Sequence, residues 1–233
     1  MRLLDRFDGV EEVDGGYAVY GEEPPEGFEL LDEREVEPGW EDRWREFHRG
    51  VQVGRFWVGP PWELPHGAGG SAADAPGRRA IVIDPGRAFG TGAHPTTRLT
   101  LELLQEVEPG SLLDVGCGSG VLSIAAAKLG FAPVAGIDVD PAAVEATLAN
   151  ARVNGVELEA CVADALQDEL PPADVAVANV ALELVERLLP RLGCRAVVTS
   201  GYLDRDRPRA RGWAHVDRRE RDGWAADLLH FSA

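Results

Sequence analysis

The sequence contains few of the residues that build disulfide frameworks and metal sites. Its 233 residues include three cysteines, an odd number, and Cys117, Cys161 and Cys194 are widely spaced. No C-x-x-C or H-E-x-x-H motif occurs. This set indicates neither a disulfide framework nor a zinc site, and it fits a reducing cytoplasm. We therefore expect no bound metal.

Long hydrophobic runs are also missing. Lys128, Gly130 and Pro133 interrupt the longest apolar stretches, so that none approaches the ~20 residues that cross a bilayer. The first five residues, Met-Arg-Leu-Leu-Asp, lack the apolar core of a signal peptide. We expect a chain that is neither membrane-bound nor exported and that works in the cytoplasm.

Positive charge is scarce as well. Lys128 is the only lysine, and the formal net charge is -17. This excess of acid opposes a nucleic-acid substrate, whose phosphates need a basic face, and it favours a cationic or basic protein partner. A need for solubility would explain the same charge. We expect no direct nucleic-acid specificity.

The composition, 45% hydrophobic and 27% charged, suits one main α/β domain with a small accessory piece. Residues 1–39 are predicted to be a small acidic module for substrate recognition. In this module, short apolar runs on either side of Asp14-Gly15-Gly16 indicate a strand, a turn and a strand. Residues 40–79 are predicted to link this module to the main domain, which covers residues 80–233.

The linking segment carries most of the tryptophans. Its pattern predicts a short amphipathic helix, a strand over 51–58 and a flexible loop over 63–79; the helix would carry Trp40, Trp44, Phe47 and His48. The tryptophans form either a hinge between modules or a small satellite core; the four concerned are Trp40, Trp44, Trp57 and Trp62.

From residue 80 onward, strand and helix patterns alternate. Strands are predicted at 80–84, 111–116, 133–138, 158–163, 173–179 and 195–201, and helices at 96–107, 120–129, 141–153 and 181–192. This alternation predicts a doubly wound, mostly parallel sheet covered on both faces. Two final strands, joined by a turn near Asp222-Gly223, are predicted to add an antiparallel pair. Residues 204–212 contain Pro208 and are too short for a full helix; this Arg/Asp-rich link either touches RNA or is solvated.

Residues 112–120, Leu-Leu-Asp-Val-Gly-Cys-Gly-Ser-Gly, place glycines directly after a predicted strand. Gly116, Gly118 and Gly120 give G-x-G-x-G, whereas the dinucleotide fingerprint is G-x-G-x-x-G, and the phosphate-binding G-x-x-x-x-G-K-[ST] is absent. Such a turn lets a ligand approach the main chain. Alone, it would be as consistent with an ordinary tight turn.

Acids at the strand ends favour a cationic ligand. Asp114 would repel a diphosphate but suits an ammonium and a sulfonium, which S-adenosylmethionine carries. Asp138 follows Gly116 by 22 positions, near the ~20 at which an acid reaches ribose hydroxyls. Asp164, after the third strand, is predicted to accept a hydrogen bond from the adenine amino group. Asp140 is predicted to cap the helix that begins at Pro141.

The segment 84–97 is predicted to form a pliable loop followed by a helix start. Phe89 would supply an apolar cover beside Gly90 and Thr91, so that the loop closes over the donor and excludes water. The alternative is a tight connection to a capped helix. His94 either caps that helix or takes a direct chemical role.

Asn179 ends the fourth predicted strand of the alternating series, at the edge where open parallel sheets bind ligands. It is followed by Val180-Ala181-Leu182, without the aromatic residue that would stack on a planar amide. An aliphatic amine is therefore the expected acceptor. A buried structural asparagine would give the same sequence.

Three stretches together resemble the PrmA-type methyltransferases: Ile-Asp-Pro-Gly-Arg-Ala-Phe-Gly-Thr-Gly-Ala-His-Pro-Thr-Thr at 83–97, the glycine turn with Gly-Ile-Asp-Val-Asp-Pro at 136–141, and Val-Ala-Asn-Val-Ala at 177–181. The resemblance runs from about Trp40 to the C-terminus. It implies a seven-stranded class I fold and methylation of lysine and α-amino groups of the large-subunit ribosomal protein numbered eleven. The donor contacts that it implies are Thr97, Gly116, Asp138 and Asn179. The family's N-terminal module is usually longer than the one here.

The predicted site combines these arguments. Asn179, Val180 and His94 are the candidate catalytic residues, and the donor site is predicted to contain Phe89, Gly90, Thr91, Thr97, Asp114, Gly116, Gly118, Asp138, Asp164 and Asn179. The alternatives are a methyltransferase for another protein or a small amine, and a donor-binding, ribosome-associated factor without catalysis. A nicotinamide-dependent dehydrogenase fits the spacing and charge poorly.

Overall fold

A computed structural model describes residues 49–64, 79–84 and 92–232, together with the backbone of two strands nearer the N-terminus. The chain divides into two compact units, residues 1–47 and 48–233. In the first, β1 (Gly9–Val13) pairs antiparallel with β2 (Gly16–Tyr20), which confirms the predicted hairpin. The predicted helix around Trp40 and Trp44 lies outside the described residues, and the segment boundaries at 39 and 79 stay predictions.

A three-stranded sheet corrects two expectations. β3 (Val51–Val53) and β4 (Phe56–Gly59) form a hairpin rather than one strand over 51–58, because Gly54, with φ of 56°, turns the chain. β5 (Arg79–Val82) pairs parallel with β4 and does not join the large sheet. A 3-10 turn, Pro61–Glu63, follows β4, and residues 65–78 of the predicted loop lie outside the described part.

The main sheet has seven strands. They are β6 (Leu112–Val115), β7 (Val134–Asp138), β8 (Glu159–Val162), β9 (Val175–Asn179), β10 (Ala196–Leu203), β11 (Trp213–Arg221) and β12 (Trp224–Phe231). Their order is β11-β12-β10-β9-β6-β7-β8. Among these seven strands, β12 alone runs in the direction opposite to the other six. The predicted doubly wound, mostly parallel class I sheet is confirmed.

Four helices cover the sheet: α1 (Pro95–Leu104), α2 (Val121–Leu129), α3 (Pro141–Val153) and α4 (Leu182–Leu188), which continues into a 3-10 turn at Leu189–Arg191. Successive strand residues such as Leu112 and Leu113 enter opposite cores, as the period of two requires. One core holds side chains of α1, α2 and α3, and the other holds side chains of α4. Asp140 caps α3 as predicted, since its side chain accepts from the amide of Ala142 at 3.0 Å.

The last two strands also follow the prediction. Asp222 and Gly223 have φ of 51° and 79°. A two-residue hairpin turn of type I′ needs positive φ at both of its central residues. Between β10 and β11, residues 204–212 contain no helix. Instead, Arg218 donates to the carbonyl oxygens of Asp204 and Asp206, which ties the start of this segment to β11.

Candidate functional site

A cavity of about 300 Å³ lies at the carboxyl ends of β6, β7 and β9. In the sheet order, β6 has β7 on one side and β9 on the other, so the cavity occupies the point where the strand order reverses. Ligands of open α/β sheets bind at such points. The structure brings together most of the predicted residues there: Thr97, Gly116, Gly118, Asp138, Asp164, Asn179 and Val180.

The glycine turn forms the floor of the cavity. Gly116, Gly118 and Gly120 all have positive φ, between 54° and 80°, a region that favours glycine. A Cβ on Gly116 would also lie 2.7 Å from the Cγ1 atom of Val180. The local geometry therefore requires glycine at this turn. Because glycine has no side chain, the backbone groups of the turn stay accessible to a ligand.

Asp138 connects the turn to β7. Its Oδ2 atom accepts a hydrogen bond from the amide of Gly118 at 3.0 Å, and its Oδ1 atom accepts one from the amide of Asp140 at 3.0 Å. The side chain is half-buried in the cavity wall. This location agrees with the predicted ribose contact, which stays a prediction.

Asp114 lies behind the turn and is not one of the residues that line the cavity. Its side chain is completely buried, and its Oδ2 atom accepts from the amide and hydroxyl of Ser123 at 3.0 and 2.6 Å. Its Oδ1 atom is buried without a hydrogen-bond partner. Burial raises the pKa of Asp114 to about 6. The carboxylate faces Ser123 in α2 instead of the cavity, and the predicted direct contact between Asp114 and the ligand stays a prediction.

Asp164 lines the cavity beyond β8. Its Oδ1 atom accepts from the amide of Leu166 at 2.8 Å, and its Oδ2 atom accepts from the side chain of Gln167. The hydrogen bond from the Leu166 amide is the main reason why the pKa of Asp164 is lowered. The side chain of Asp164 is therefore an ionised hydrogen-bond acceptor in the cavity wall. This location agrees with the predicted hydrogen bond from the adenine amino group, which stays a prediction.

Asn179 and Val180 form the wall beside the turn. The Asn179 amide nitrogen lies 3.4 Å from the hydroxyl of Thr97, which is buried in the first turn of α1. The amide of Val180 donates to the carbonyl oxygen of Ser200 at 3.0 Å. The wall thus joins three elements: α1, the end of β9 and β10.

His94 takes the capping role. It is the N-cap of α1, its Nδ1 atom accepts from the amide of Thr96 at 3.3 Å, and its ring packs edge-on against Trp224 at 5.0 Å. Burial lowers the pKa of His94, which favours the neutral form that can accept this bond. His94 does not line the cavity, so the alternative of a direct chemical role is not supported. Phe89, Gly90 and Thr91 lie outside the described residues.

Sequence reasoning missed a polar face on α3. Thr147 donates to the carbonyl oxygen of Gly118 at 3.0 Å, and Asn150 donates to that of Ser119 at 2.9 Å. The Oδ1 atom of Asn150 also accepts from the amide of Asp84. The spacing of three residues, which places two side chains on one helix face, was the available signal.

Among the described residues, the side chains that line the cavity include no lysine, arginine or histidine. In the same part of the chain, no group of three or more His, Cys, Asp or Glu side chains could hold a metal ion. No described helix is both long enough and apolar enough to span a bilayer.

Comparisons with known proteins point to one family. The family model for ribosomal protein L11 methyltransferase (PrmA) matches residues 23–226. The ribosomal protein L11 methyltransferase of Symbiobacterium thermophilum is 40% identical over 206 residues, which are 82% of this chain and 66% of that protein. Its counterpart in Caldanaerobacter subterraneus subsp. tengcongensis is 42% identical over 158 residues, which are 66% of this chain and 49% of that protein.

A solved structure supports the same assignment. The crystal structure of the ribosomal protein L11 methylase from Lactobacillus delbrueckii subsp. bulgaricus is 27% identical, has a TM-score of 0.68 and covers 80% of this chain and 100% of that one. The chain spans only about half to two thirds of the length of the first curated relatives that it matches.

Proposed function

The chain belongs to the ribosomal protein L11 methyltransferase (PrmA) family, and we propose that it transfers methyl groups from S-adenosylmethionine to amino nitrogens of ribosomal protein L11. The names of its relatives supply the acceptor. Because ribosomal proteins are made in the cytoplasm, we propose that it acts there.

The charge of the cavity carries the proposal for the donor. Asp138 and Asp164 line it, and no basic side chain does so among the described residues. A pyrophosphate would meet these carboxylates without a counter-charge, whereas a sulfonium and an ammonium are attracted by them. The bare main chain at Gly116 and Gly118 and apolar walls such as Leu122 and Ile137 suit the rest of this donor. The residues present thus fit S-adenosylmethionine.

We call the wall that contains the glycine turn and Asp138 the donor side, and the wall that contains Asn179 and Val180 the acceptor side. When bound, S-adenosylmethionine supplies an electrophilic methyl group on a cationic sulfur. The side-chain oxygen of Asn179 and the carbonyl oxygen of Val180 accept the hydrogens of the incoming amine. This arrangement directs the nitrogen lone pair towards the donor side, at ~3 to 3.5 Å from the reacting carbon.

The protein also has to favour the neutral amine. A lysine with an unperturbed pKa near ~10.4 must lose its proton before it attacks. The apolar walls penalise the charged form by desolvation, so no dedicated base is needed. The carbon–sulfur bond breaks as the carbon–nitrogen bond forms, and the new ammonium releases its extra proton to solvent.

The activity is tested with the full chain, the donor and purified ribosomal protein L11. Intact-mass spectrometry should show an increase in steps of one methyl group, which depends on both the donor and the chain. The same reaction with Asn179→Ala provides the matched control, because that variant retains the donor side. No mass increase with the wild-type chain would contradict the proposal.

One observation keeps a second candidate open. The chain covers only 49% to 66% of the length of its first curated relatives, so the acceptor that their names give stays a proposal for this chain. A methyltransferase for another protein or a small amine would label components of a ribosome-free extract and leave ribosomal protein L11 unchanged. A non-catalytic, ribosome-associated factor would bind the donor and label nothing.

A further inference from the structure

Strand β10 contains an irregularity at Gly201, which sequence reasoning did not select. The pairing of β10 with β12 shifts between Ser200 and Tyr202, and Gly201 has φ of 100°. A glycine inside a strand often marks a bulge or a close approach of another backbone. Here both apply: the shift in pairing marks a bulge, and the backbone of Val180, on the acceptor side of the cavity, lies against Gly201.

The close approach is to the peptide group of Val180. A Cβ atom on Gly201 would lie 2.3 Å from the Val180 carbonyl oxygen, 2.6 Å from its carbonyl carbon and 2.8 Å from its nitrogen. All three neighbours are backbone atoms, which cannot rotate away as the end of a side chain does. The main chain of Val180 therefore occupies the space that only glycine leaves open.

Two more contacts fix Val180 from other directions. Its amide donates to the carbonyl oxygen of Ser200 at 3.0 Å, one residue before the bulge. Its Cγ1 atom lies 2.7 Å from the position of a Cβ on Gly116. Val180 is thus held between the bare backbone of β10 and that of the glycine turn.

We propose that Gly201 is a positioning residue for methyl transfer: it fixes the carbonyl oxygen of Val180, and with it Asn179, at the place where the acceptor amine is held. The inference rests on the proposed function. It assigns Gly201 an effect on the acceptor rather than on the donor, because Gly201 packs on the acceptor side and does not line the cavity.

The size of the effect follows from the geometry. To bring the 2.3 Å approach to ordinary van der Waals contact, the backbone at Val180 has to move by about 1 Å, and misplacement on that scale lowers turnover by about 100-fold. We expect Gly201→Ala to lower kcat by about 100-fold, while the dissociation constant of S-adenosylmethionine, measured by calorimetry, changes less than about threefold.

Gly130 offers a matched control. Its φ is 98°, close to that of Gly201, but a Cβ there would meet nothing within 4 Å. Gly130→Ala therefore imposes the same backbone strain without a clash. Its kcat and donor affinity should stay within about twofold of wild type. Equal losses of kcat in the two variants would overturn the proposal, because strain alone would then explain both.

A spectroscopic readout separates this inference from the proposed function. With the Val180 carbonyl labelled with carbon-13, its chemical shift should change in Gly201→Ala and stay unchanged in Gly130→Ala, whether or not the wild-type chain transfers methyl groups. An unchanged shift in Gly201→Ala overturns the positioning role. A wild-type chain that shows no transfer contradicts only the proposed function.

Circular dichroism establishes whether Gly201→Ala is folded. If it is not, the wild-type chain carries the test. Saturated with S-adenosylhomocysteine, it is titrated with a lysine-containing peptide of ribosomal protein L11, and the carbonyl shift of Val180 should move with the peptide concentration. A Val180 shift that stays unchanged while other resonances respond to the peptide overturns the proposal, whereas a peptide that alters no resonance contradicts only the proposed function.

Discussion

The two walls of the cavity are held in different ways. On the donor side, side-chain hydrogen bonds fix the glycine turn: Asp138 accepts one from the turn, and Thr147 and Asn150 each donate one to it. On the acceptor side, one 3.4 Å contact joins Asn179 to Thr97, and Val180 is located mainly by packing against glycines. Hydrogen bonds from two elements restrain the turn before any ligand arrives. We therefore expect changes on the donor side to alter binding and stability, and changes on the acceptor side to alter turnover.

The largest effect is expected behind the donor side, at Asp114. Its pKa in the folded protein is about 6 against an ordinary value of 3.8, so that between these values the folded state binds more protons than the unfolded state. Stability contributed by the protonated carboxyl is present below pH 4 and is lost as the pH rises to about 6. The loss is on the order of 3 kcal/mol.

Asp114→Asn removes this titration. Chemical denaturation at pH 4 and pH 7 should show that the free energy of unfolding of the variant minus that of wild type is larger at pH 7 than at pH 4, by up to about 3 kcal/mol. Asp174→Asn is the control, since Asp174 is exposed to solvent and hydrogen bonds from Ser111 lower its pKa. A relative stability of Asp114→Asn that does not change with pH would contradict the raised pKa.

The next effect is expected on the acceptor side. Asn179→Ala removes the side-chain oxygen that holds the amine and should lower kcat by about 100-fold. Donor affinity should fall by less than about threefold, because the glycine turn and Asp138 remain. Steady-state kinetics and calorimetry measure the two quantities. Full turnover with normal donor affinity would show that Asn179 does not orient the amine.

A smaller effect, on binding, is expected on the donor side. Asp138→Asn removes the negative charge of the carboxylate that accepts a hydrogen bond from the amide of Gly118. The same carboxylate faces the proposed ribose. Loss of such a charged hydrogen bond corresponds to about 2 kcal/mol, or roughly 30-fold weaker donor binding. At saturating donor, kcat should change little. Asp140→Ala is the control, since Asp140 caps α3 and does not line the cavity. If Asp138→Asn lowers kcat but not affinity, the division between the two walls is wrong.

For both walls, the sequence predicted which residues line the cavity better than it predicted how those residues are packed, for a physical reason. The turn at Gly116 to Gly120 and the acid at Asp138 are local signals, since each requires only the residues of one strand and the turn after it. The burial of Asp114 depends on Ser123, in a helix that begins after the turn. The packing of Val180 on Gly201 depends on the pairing of β9 with β10. No local pattern contains either fact.

The same limit explains the error in the fold. Apolar residues at 80–84 predict a strand correctly, but they do not specify its partner. Ala80 and Ile81 are buried, and β5 pairs with β4 rather than with the large sheet. Membership of a sheet depends on contacts with distant residues, such as the hydrogen bonds between Asn154 and the backbone of Val82. Alternation of residue types records only that a strand has a buried face.

The smallest expected effect concerns His94, which adjoins the acceptor side through α1. Because His94 accepts the amide of Thr96, His94→Ala should lower the free energy of unfolding by about 1 kcal/mol. His94→Asn keeps a capping acceptor and should recover most of that stability, with turnover at least half that of wild type in the assay for methyl transfer. If His94→Asn is as stable as wild type but loses turnover as strongly as Asn179→Ala, the imidazole takes part in the chemistry and capping alone does not account for it.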